Sequence, residues 1–254
     1  MSVCSRCRVL VAAVAVASAV CVGVFAVGTT AAISVRHGVL RVGSTPNQRL
    51  SNSSSLNWAG YAVTGGRYTS VSASWVQPAV NCSTTPTGWS SFWAGLDGDT
   101  TNTVEQTGTE ADCSSGKAVY YAWYEMYPKF PTNYSNPVVP GDSFKASVTT
   151  DGRGDFTLKL ADTTRGWSRT TTAKLHNAKL GSAEVIAEAP SSSGGVLPLA
   201  DFGSVNFSAA TANGTLFNKL SGLDRINMVS GSTTKASTGS ISSTGGFSVT
   251  WKHS

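Results

Sequence analysis

An all-β fold, an antiparallel β-sandwich of the jelly-roll type with two packed sheets, is predicted by three features of the 254-residue sequence. Charged residues make up only 13% of the chain, about half of the usual share. After Asn57, short runs rich in Val, Tyr, Phe, Trp and Thr alternate with clusters of Gly, Pro, Asn and Asp. No convincing helical stretch exceeds two turns, although residues 216–228 are ambiguous. Short strands separated by regular turn signals favour two packed sheets.

Residues 1–32 are predicted to be a secretory signal peptide. Arg6 and Arg8 precede an apolar run from Val9 to Val27, and small residues at 30–32 offer a cleavage site. An uncleaved membrane anchor is the alternative, because this run nearly reaches the ~20 apolar residues that a spanning helix needs. The prediction is a secreted, extracellular protein with no stable membrane association after cleavage.

Residues 33–55 are interpreted as a short pro-segment or a flexible arm, since they are polar and show no sustained period. They contain Arg36, Arg41 and Arg49, which could pair with carboxylates of a cleft and block it until acid exposure. A disordered arm is the alternative. Residues 56–254 contain neither an internal repeat nor a linker, and are predicted to form one domain.

The charge of the chain excludes nucleic acid as an expected partner. Without Arg6 and Arg8, 17 basic and 14 acidic side chains remain, and they are dispersed along the sequence rather than gathered in a basic stripe. We expect a monomer.

Cysteine usage points to one disulfide. Cys4, Cys7 and Cys21 lie in the predicted leader, which leaves Cys82 and Cys113. In an oxidising compartment these two are expected to pair, and closing a loop of this size removes roughly 3.7 kcal/mol of unfolded-chain entropy. Two unpaired buried thiols are the alternative.

Three predicted strands place polar and aromatic side chains on one face, away from the core. The two-residue alternation of a strand gathers Trp93, Gly95 and Asp97; Tyr121, Trp123, Glu125 and Tyr127; and Glu184, Ile186 and Glu188. In residues 103–108 the alternation pairs Gln106 with Val104 but leaves the choice of face open. Trp and Tyr beside carboxylates indicate a ligand groove; a second, partly buried face with ordinary hydrogen-bonded acids is the alternative.

Several enzyme classes lack the residues that they need. His176 is the only histidine well inside the mature chain, so a Ser-His-Asp or Cys-His arrangement has little material. The motifs G-x-S-x-G and H-E-x-x-H and a pair of Asp-Thr/Ser-Gly loops are also missing. No metal or cofactor is expected, and what remains is carboxylate chemistry on a β-sheet.

Six segments in one order carry a resemblance to a known family. They are Asn57-Trp58-Ala59-Gly60, Trp93-Ala94-Gly95-Leu96-Asp97-Gly98-Asp99, Glu105-Gln106-Thr107-Gly108, Ala122-Trp123-Tyr124-Glu125-Met126-Tyr127-Pro128, Ala183-Glu184-Val185-Ile186-Ala187-Glu188 and Asp201-Phe202-Gly203-Ser204-Val205. Together they resemble the glutamic peptidases, the eqolisin family of secreted acid endopeptidases, over residues 56–254.

The resemblance implies a β-sandwich whose concave face holds a catalytic glutamine and glutamate. The glutamine of the family's Q-T-G motif falls on Gln106. The glutamate of its A-E-x-I-x-E motif falls on the second acid, Glu188, although alternation does not exclude Glu184. Supporting roles are implied for Trp93, Asp97 and Glu125. The cleft is expected to be lined by Trp58, Tyr121, Trp123 and Tyr127, which would grip an extended polypeptide.

These roles imply hydrolysis of peptide bonds in acid. Glu188 would take a proton from the attacking water and deliver it to the leaving amine, while the Gln106 amide would hold the oxyanion. Asp97 and Trp93 would orient Gln106. Because a glutamate with a pKa of about 4.3 must serve as both base and acid, activity should peak in acid.

Two other functions are compatible with the same residues. One is a jelly-roll glycoside hydrolase that uses Glu125 and Glu188 as its two carboxylates, and it makes no special use of Gln106. The other is a carbohydrate-binding module without turnover.

Overall fold

The computed structural model describes residues 42–51 and 53–254, so the predicted signal peptide lies outside the described residues. The described chain is almost entirely β. In chain order the strands are β1 Arg49–Ser51, β2 Ser54–Ser55, β3 Trp58–Thr64, β4 Ser70–Val76, β5 Ser91–Leu96, β6 Val104–Ser114, β7 Lys117–Tyr127, β8 Thr132–Asn133, β9 Ser143–Thr150, β10 Asp155–Asp162, β11 Trp167–Lys174, β12 Ser182–Glu188, β13 Ser191–Ser192, β14 Gly195–Val196, β15 Ser204–Ala212, β16 Thr215–Leu216, β17 Leu223–Ser230, β18 Thr233–Thr238 and β19 Phe247–Trp251.

Most of these strands form two layers, which we call the front and back sheets, while β13 and β14 pair only with each other and β16 pairs with the end of β15. The front sheet has the order β17–β3–β12–β5–β6–β7–β8, and all of its pairs are antiparallel. The back sheet has the order β11–β10–β9–β4–β15–β19–β18–β17–β2–β1, in which only β17 and β2 run parallel. Strand β17 belongs to both sheets, because its first half pairs with β3 and its second half with β18. This architecture confirms the predicted antiparallel β-sandwich.

The main hydrophobic core lies between the two sheets. Phe92, Ala94 and Leu96 of β5 point into it, and so do Val185 and Ala187 of β12. Every second side chain of these strands is therefore buried against the back sheet, as alternation predicted. The remaining side chains of the front sheet point to its outer face, hereafter the groove face. There Trp58, Ala62, Trp93, Val104, Trp123, Ile186 and Ile226 form a second apolar cluster.

Two local features of the sequence take a definite form in the structure. Cys82 and Cys113 form the predicted disulfide, which ties the loop after β4 to the end of β6. The ambiguous stretch 216–228 contains one short 3₁₀ turn, Phe217–Lys219, and is otherwise mostly strand. Within residues 42–51 and 53–254, no helix is long and apolar enough to cross a membrane.

Candidate active site

Strand register arranges the groove-face residues in three rows that run across the sheet from β3 to β7. The first row is Ala62, Glu184, Gly95, Gln106 and Glu125. The second row is Gly60, Ile186, Trp93, Gly108 and Trp123, and the third is Trp58, Glu188, Ser91, Glu110 and Tyr121. Five separate strands thus bring acids, an amide and aromatic rings to one surface, as their alternation indicated. Gln106, whose face the sequence left open, lies on this surface.

Glycines in the middle of the rows let bulky side chains approach the sheet closely. A Cβ atom on Gly108 would lie 2.2 Å from the Phe92 carbonyl oxygen and 2.6 Å from the Trp93 Cβ. A Cβ atom on Gly95 would lie 2.9 Å from the Trp93 ring and 3.0 Å from the Gln106 Cβ. The two distances at Gly108 are far too short for real contacts of a Cβ atom, and those at Gly95 are at the limit, so Gly108 requires glycine and Gly95 favours it. The indole of Trp93 and the side chain of Gln106 can therefore settle against the strands.

The Gln106 amide is oriented by Glu125. Its nitrogen Nε2 donates a hydrogen bond of 2.8 Å to Glu125 Oε2, while its oxygen Oε1 is buried and accepts no hydrogen bond from the described residues. Burial, and next the nearby charge of Glu188, raise the pKa of the Glu125 carboxyl well above its ordinary value. Glu125 thus fixes the orientation of the amide, which leaves Oε1 to accept a hydrogen bond from water and the second Nε2 hydrogen to donate one to a reacting carbonyl oxygen.

Glu188 is held by three N–H donors. The Trp93 indole Nε1 donates to Oε2 at 2.8 Å, and the Thr45 amide N and Asn57 Nδ2 donate to Oε1 at 3.0 Å and 3.3 Å. Complete burial raises the pKa of this carboxyl to about 8, and the hydrogen bonds oppose the rise by favouring the ionised form. These three donors therefore fix the orientation of the Glu188 carboxyl group.

Glu184 and Glu188, which lie on the same strand, have different surroundings. Glu184 is fully buried in the first row, and neither of its carboxyl oxygens makes a hydrogen bond of normal geometry within the described residues. Burial raises its pKa well above the ordinary value. Of the two glutamates that alternation left open, Glu188 has the donors that hold a carboxylate ready to exchange a proton, which favours it over Glu184.

Asp97 and Trp93 make contacts other than the predicted ones to Gln106. Asp97 accepts hydrogen bonds of 2.8–2.9 Å from the backbone amides of Lys179, Leu180 and Gly181, and Trp93 donates to Glu188. Asp97 therefore fastens the turn that leads into β12, the strand of Glu184 and Glu188. Both residues support the acid rather than the amide.

The aromatic residues predicted to line the cleft gather on the groove face. Trp58 and Trp93 meet edge to face with ring centroids 4.9 Å apart. Trp123 belongs to the same apolar cluster, and Tyr121 and Tyr127 pack against its edge. Tyr121 also donates a hydrogen bond of 3.0 Å to Asp112.

Sequence reasoning missed several residues of the site. Asn57 contacts Glu188 directly, and its place beside Trp58 in a matched segment was the available signal. Glu110 and Asp112 continue the alternation of Gln106 along β6, so the same period could have found them. Ser91 donates a 2.6 Å hydrogen bond to Glu110. Burial raises the pKa of Glu110 well above its ordinary value and that of Asp112 to about 7.

Residues 42–51, hereafter the N-terminal segment, lie across this surface. Gly43 exchanges two backbone hydrogen bonds with Ser191, just beyond β12. The Thr45 amide reaches Glu188 as described, and its carbonyl oxygen accepts from Trp58 Nε1 at 3.1 Å. Further along, Asn47 and Arg49 bond to Asp99. A cavity of about 270 Å³ beside the segment is lined in part by Glu125, Tyr127, Phe130 and Ser192.

Comparison with known proteins agrees with the resemblance to the glutamic peptidases, both in sequence and in fold. A model of the peptidase A4 family matches residues 56–251. Aspergillopepsin-2 of Aspergillus niger is 30% identical over 197 residues, which cover 68% of each chain. Scytalidopepsin B of Scytalidium lignicola is 36% identical over 107 residues, which cover 41% of this chain and 39% of that protein.

Two solved structures share the fold. Scytalido-glutamic peptidase with a transition state analog inhibitor matches with a TM-score of 0.64 and 26% identity, over 77% of this chain and 98% of the other. Aspergilloglutamic peptidase from Aspergillus niger matches with a TM-score of 0.58 and 28% identity, over 65% and 99%. The chain therefore belongs to the peptidase A4 family, the eqolisins or glutamic peptidases, and is a hydrolase that acts on peptide bonds.

Proposed function

We propose that the protein is a secreted acid endopeptidase in which Gln106 and Glu188 activate water for attack on a peptide carbonyl. The observation that carries the proposal is the arrangement of hydrogen bonds on one groove face. Glu188 is held by the Trp93 indole and the Asn57 amide. Gln106 Nε2 donates one hydrogen bond to Glu125, so its second hydrogen can point to an oxyanion, while its oxygen, unbonded within the described residues, can accept from water. Family membership favours this function over a glycoside hydrolase or a sugar-binding module.

In the proposed reaction Glu188 acts first as a base and then as an acid, and Gln106 stabilises the intermediate. The Glu188 carboxylate takes a proton from water as the water oxygen bonds to the carbonyl carbon, and the Gln106 amide donates a hydrogen bond to the resulting oxyanion. The Glu188 carboxylic acid then gives that proton to the amide nitrogen. The carbon–nitrogen bond breaks, leaving a new carboxyl group and a new amine. No other co-reactant is needed.

We further propose that the N-terminal segment is part of a pro-segment that keeps the enzyme inactive. It covers the catalytic acid, because the Thr45 amide occupies Glu188 Oε1. With the segment in place the Glu188 carboxyl is fully buried, and burial raises its pKa to about 8 even though the hydrogen bond from the Thr45 amide opposes the rise. The acid therefore stays protonated in acid and cannot accept a proton from water. Removal of the segment would admit water and return the pKa toward its reference value of about 4.3.

Replacement of the two catalytic residues tests the function. We expect Gln106→Ala and Glu188→Gln each to lower the rate of casein cleavage near pH 4 by about 10²-fold or more, because each removes a group that contacts the reacting atoms. Glu184→Gln is the matched control, since it removes a neighbouring buried acid from the same strand. It should leave most of the activity.

The comparison must be made with folded proteins at equal concentration, checked by circular dichroism. Retained cleavage by Gln106→Ala or Glu188→Gln would refute the proposed roles, and loss with Glu184→Gln alone would transfer the acid's role to Glu184. Xylan in place of casein tests the glycoside hydrolase alternative.

A further inference from the structure

A buried carboxylate beside the start of β12 is paired with a cation from the N-terminal segment. Arg49 Nη2 lies 2.7 Å from Asp99 Oδ2 and 2.9 Å from Asp99 Oδ1, and Arg49 Nε lies 3.3 Å from Oδ1. The same Nη2 lies 3.1 Å from Asp224 Oδ2. The side chain of Asp99 is fully buried, whereas that of Asp224 is 18% exposed. The guanidinium therefore sits between two carboxylates.

Both carboxylates belong to the folded domain rather than to the segment. Asp99 follows β5, and its backbone amide lies 3.4 Å from the Ser182 hydroxyl at the start of β12. Asp224 lies on β17, opposite Ala62 of β3. The cation would leave with the segment, but the two anions would stay.

Loss of the segment would leave these acids without their cation. Among the described residues, Arg49 is the only basic side chain that forms an ion pair with Asp99 or Asp224. Breaking a buried ion pair by removing one partner is strongly destabilising, because an uncompensated charge stays behind. The space that Arg49 would leave between Asp99 and Asp224 therefore favours another cationic group.

The segment also shows how an extended peptide reaches this position. Its Thr45 amide nitrogen contacts Glu188, its Asn47 amide donates to the Gly98 carbonyl at 2.9 Å, and Arg49 follows two residues later. We propose that Asp99 and Asp224 form a subsite for an arginine or lysine side chain of the polypeptide substrate, four residues C-terminal to the residue whose amide nitrogen faces Glu188. This inference rests on the proposed function and on removal of the segment.

Arginine should bind better than lysine. The planar guanidinium can contact both oxygens of Asp99 and reach Asp224 at once, as Arg49 does, whereas an ammonium group acts as a point charge. The arginine side chain also stays charged at every pH at which the enzyme could work.

A peptide-binding experiment tests the subsite directly. The probes are the peptide of residues 42–51 and the same peptide with neutral citrulline at position 49, each added to the acid-processed protein as an inhibitor of casein cleavage. We expect the arginine peptide to inhibit about 10- to 100-fold more tightly. Asp224→Asn should remove most of the difference, and Asp99→Asn should do the same if it folds. Asp155→Asn, at an exposed position on β10, is the matched control.

Cleavage sites in a digested protein mixture give the second measurement. Arginine and lysine should be enriched at the fifth residue on the C-terminal side of the cut bond, and Asp224→Asn should abolish the enrichment. Efficient cleavage with equal inhibition by both peptides and no enrichment would overturn the subsite but leave the proposed function intact. Failure to cleave any protein, or an active enzyme that retains residues 42–51, would overturn the subsite together with the proposal on which it rests.

Discussion

At the scale of single residues, the site depends on how each acid is surrounded. Glu188 has three N–H donors, Glu125 has the Gln106 amide, and Glu184 has no hydrogen bond of normal geometry within the described residues. Glutamates on the same face of one sheet can therefore take different chemical roles. Glu105, on the opposite face of β6 from Gln106, is also fully buried.

Glu105 provides a test of what a buried acid does to stability. Burial, and next the charge of Asp97, raise its pKa to about 8, so the readier ionisation of the unfolded chain opposes folding increasingly as pH rises from about 4.3 toward 8. We expect Glu105→Leu to raise the free energy of unfolding by about 1–3 kcal/mol at pH 8, since it removes a buried polar group. Urea unfolding at pH 8 and pH 4 measures the change, with Glu105→Gln as the control for charge alone. A stabilisation that is equal at both pH values would contradict the electrostatic explanation.

At the scale of elements, the site is built by β12 and the strands beside it. Strand β12 pairs with β3 on one side and β5 on the other, so the strand of Glu188 lies inside the front sheet. The N-terminal segment is attached differently. Residues 42–48 contain only one isolated backbone bridge, Gly43 to Ser191, and are otherwise held by side chains and single backbone contacts. The strand that is paired along both edges carries Glu188, the proposed catalytic acid, whereas residues 42–48, which cover this acid, have little backbone pairing.

Acid treatment should lead to removal of the N-terminal segment. We expect full-length protein that was purified at neutral pH to show a lag in casein cleavage after transfer to pH 4, and to lose residues before about position 53 during that lag. Glu188→Gln should keep its N-terminus, because it cannot cut the chain. Mass spectrometry and N-terminal sequencing follow the change. Full activity in a chain that still begins at position 32 or 33 would show that the segment is not inhibitory.

At the scale of the whole molecule, buried acids change the usual relation between pH and stability. Burial raises the pKa of Glu105 and Glu188 to about 8 and that of Asp112 to about 7, and it raises the pKa of Glu110, Glu125 and Glu184 as well. The folded chain therefore binds protons more tightly than the unfolded chain does. Stability is greatest below the unfolded pKa of about 4.3 and is lost as pH rises toward 8.

The Tm should accordingly fall as the solution becomes neutral. We expect it to be about 10 °C higher at pH 4 than at pH 8, since each kcal/mol shifts the Tm by about 2–4 °C in a domain of this size. Calorimetry on Gln106→Ala, which should not cut itself, separates stability from processing. A Tm that is constant or higher at pH 8 would mean that these acids are solvated rather than buried.

The sequence predicted much of this architecture because strand alternation and turns are set by residues that are neighbours in the chain. The two-residue period assigned Trp93, Glu125 and Glu188 to one face, and turn residues marked the strands. The contacts that complete the site join distant parts of the chain: Trp93 to Glu188 spans 95 residues, and Thr45 to Glu188 spans 143. Asp97 likewise binds a turn more than 80 residues away. Such partners depend on strand register across the whole sheet, which no local period specifies.

The central position of β12 decides which parts of the enzyme can move during turnover. A strand hydrogen-bonded along both edges is among the last to open, so backbone amide exchange near Glu188 should be slow. Access to Glu188 must then come from departure of residues 42–51, whose Thr45 amide contacts this acid, rather than from opening of the strand. Once that segment has left, substrate binding and product release would need no separation of β12 from its two neighbours.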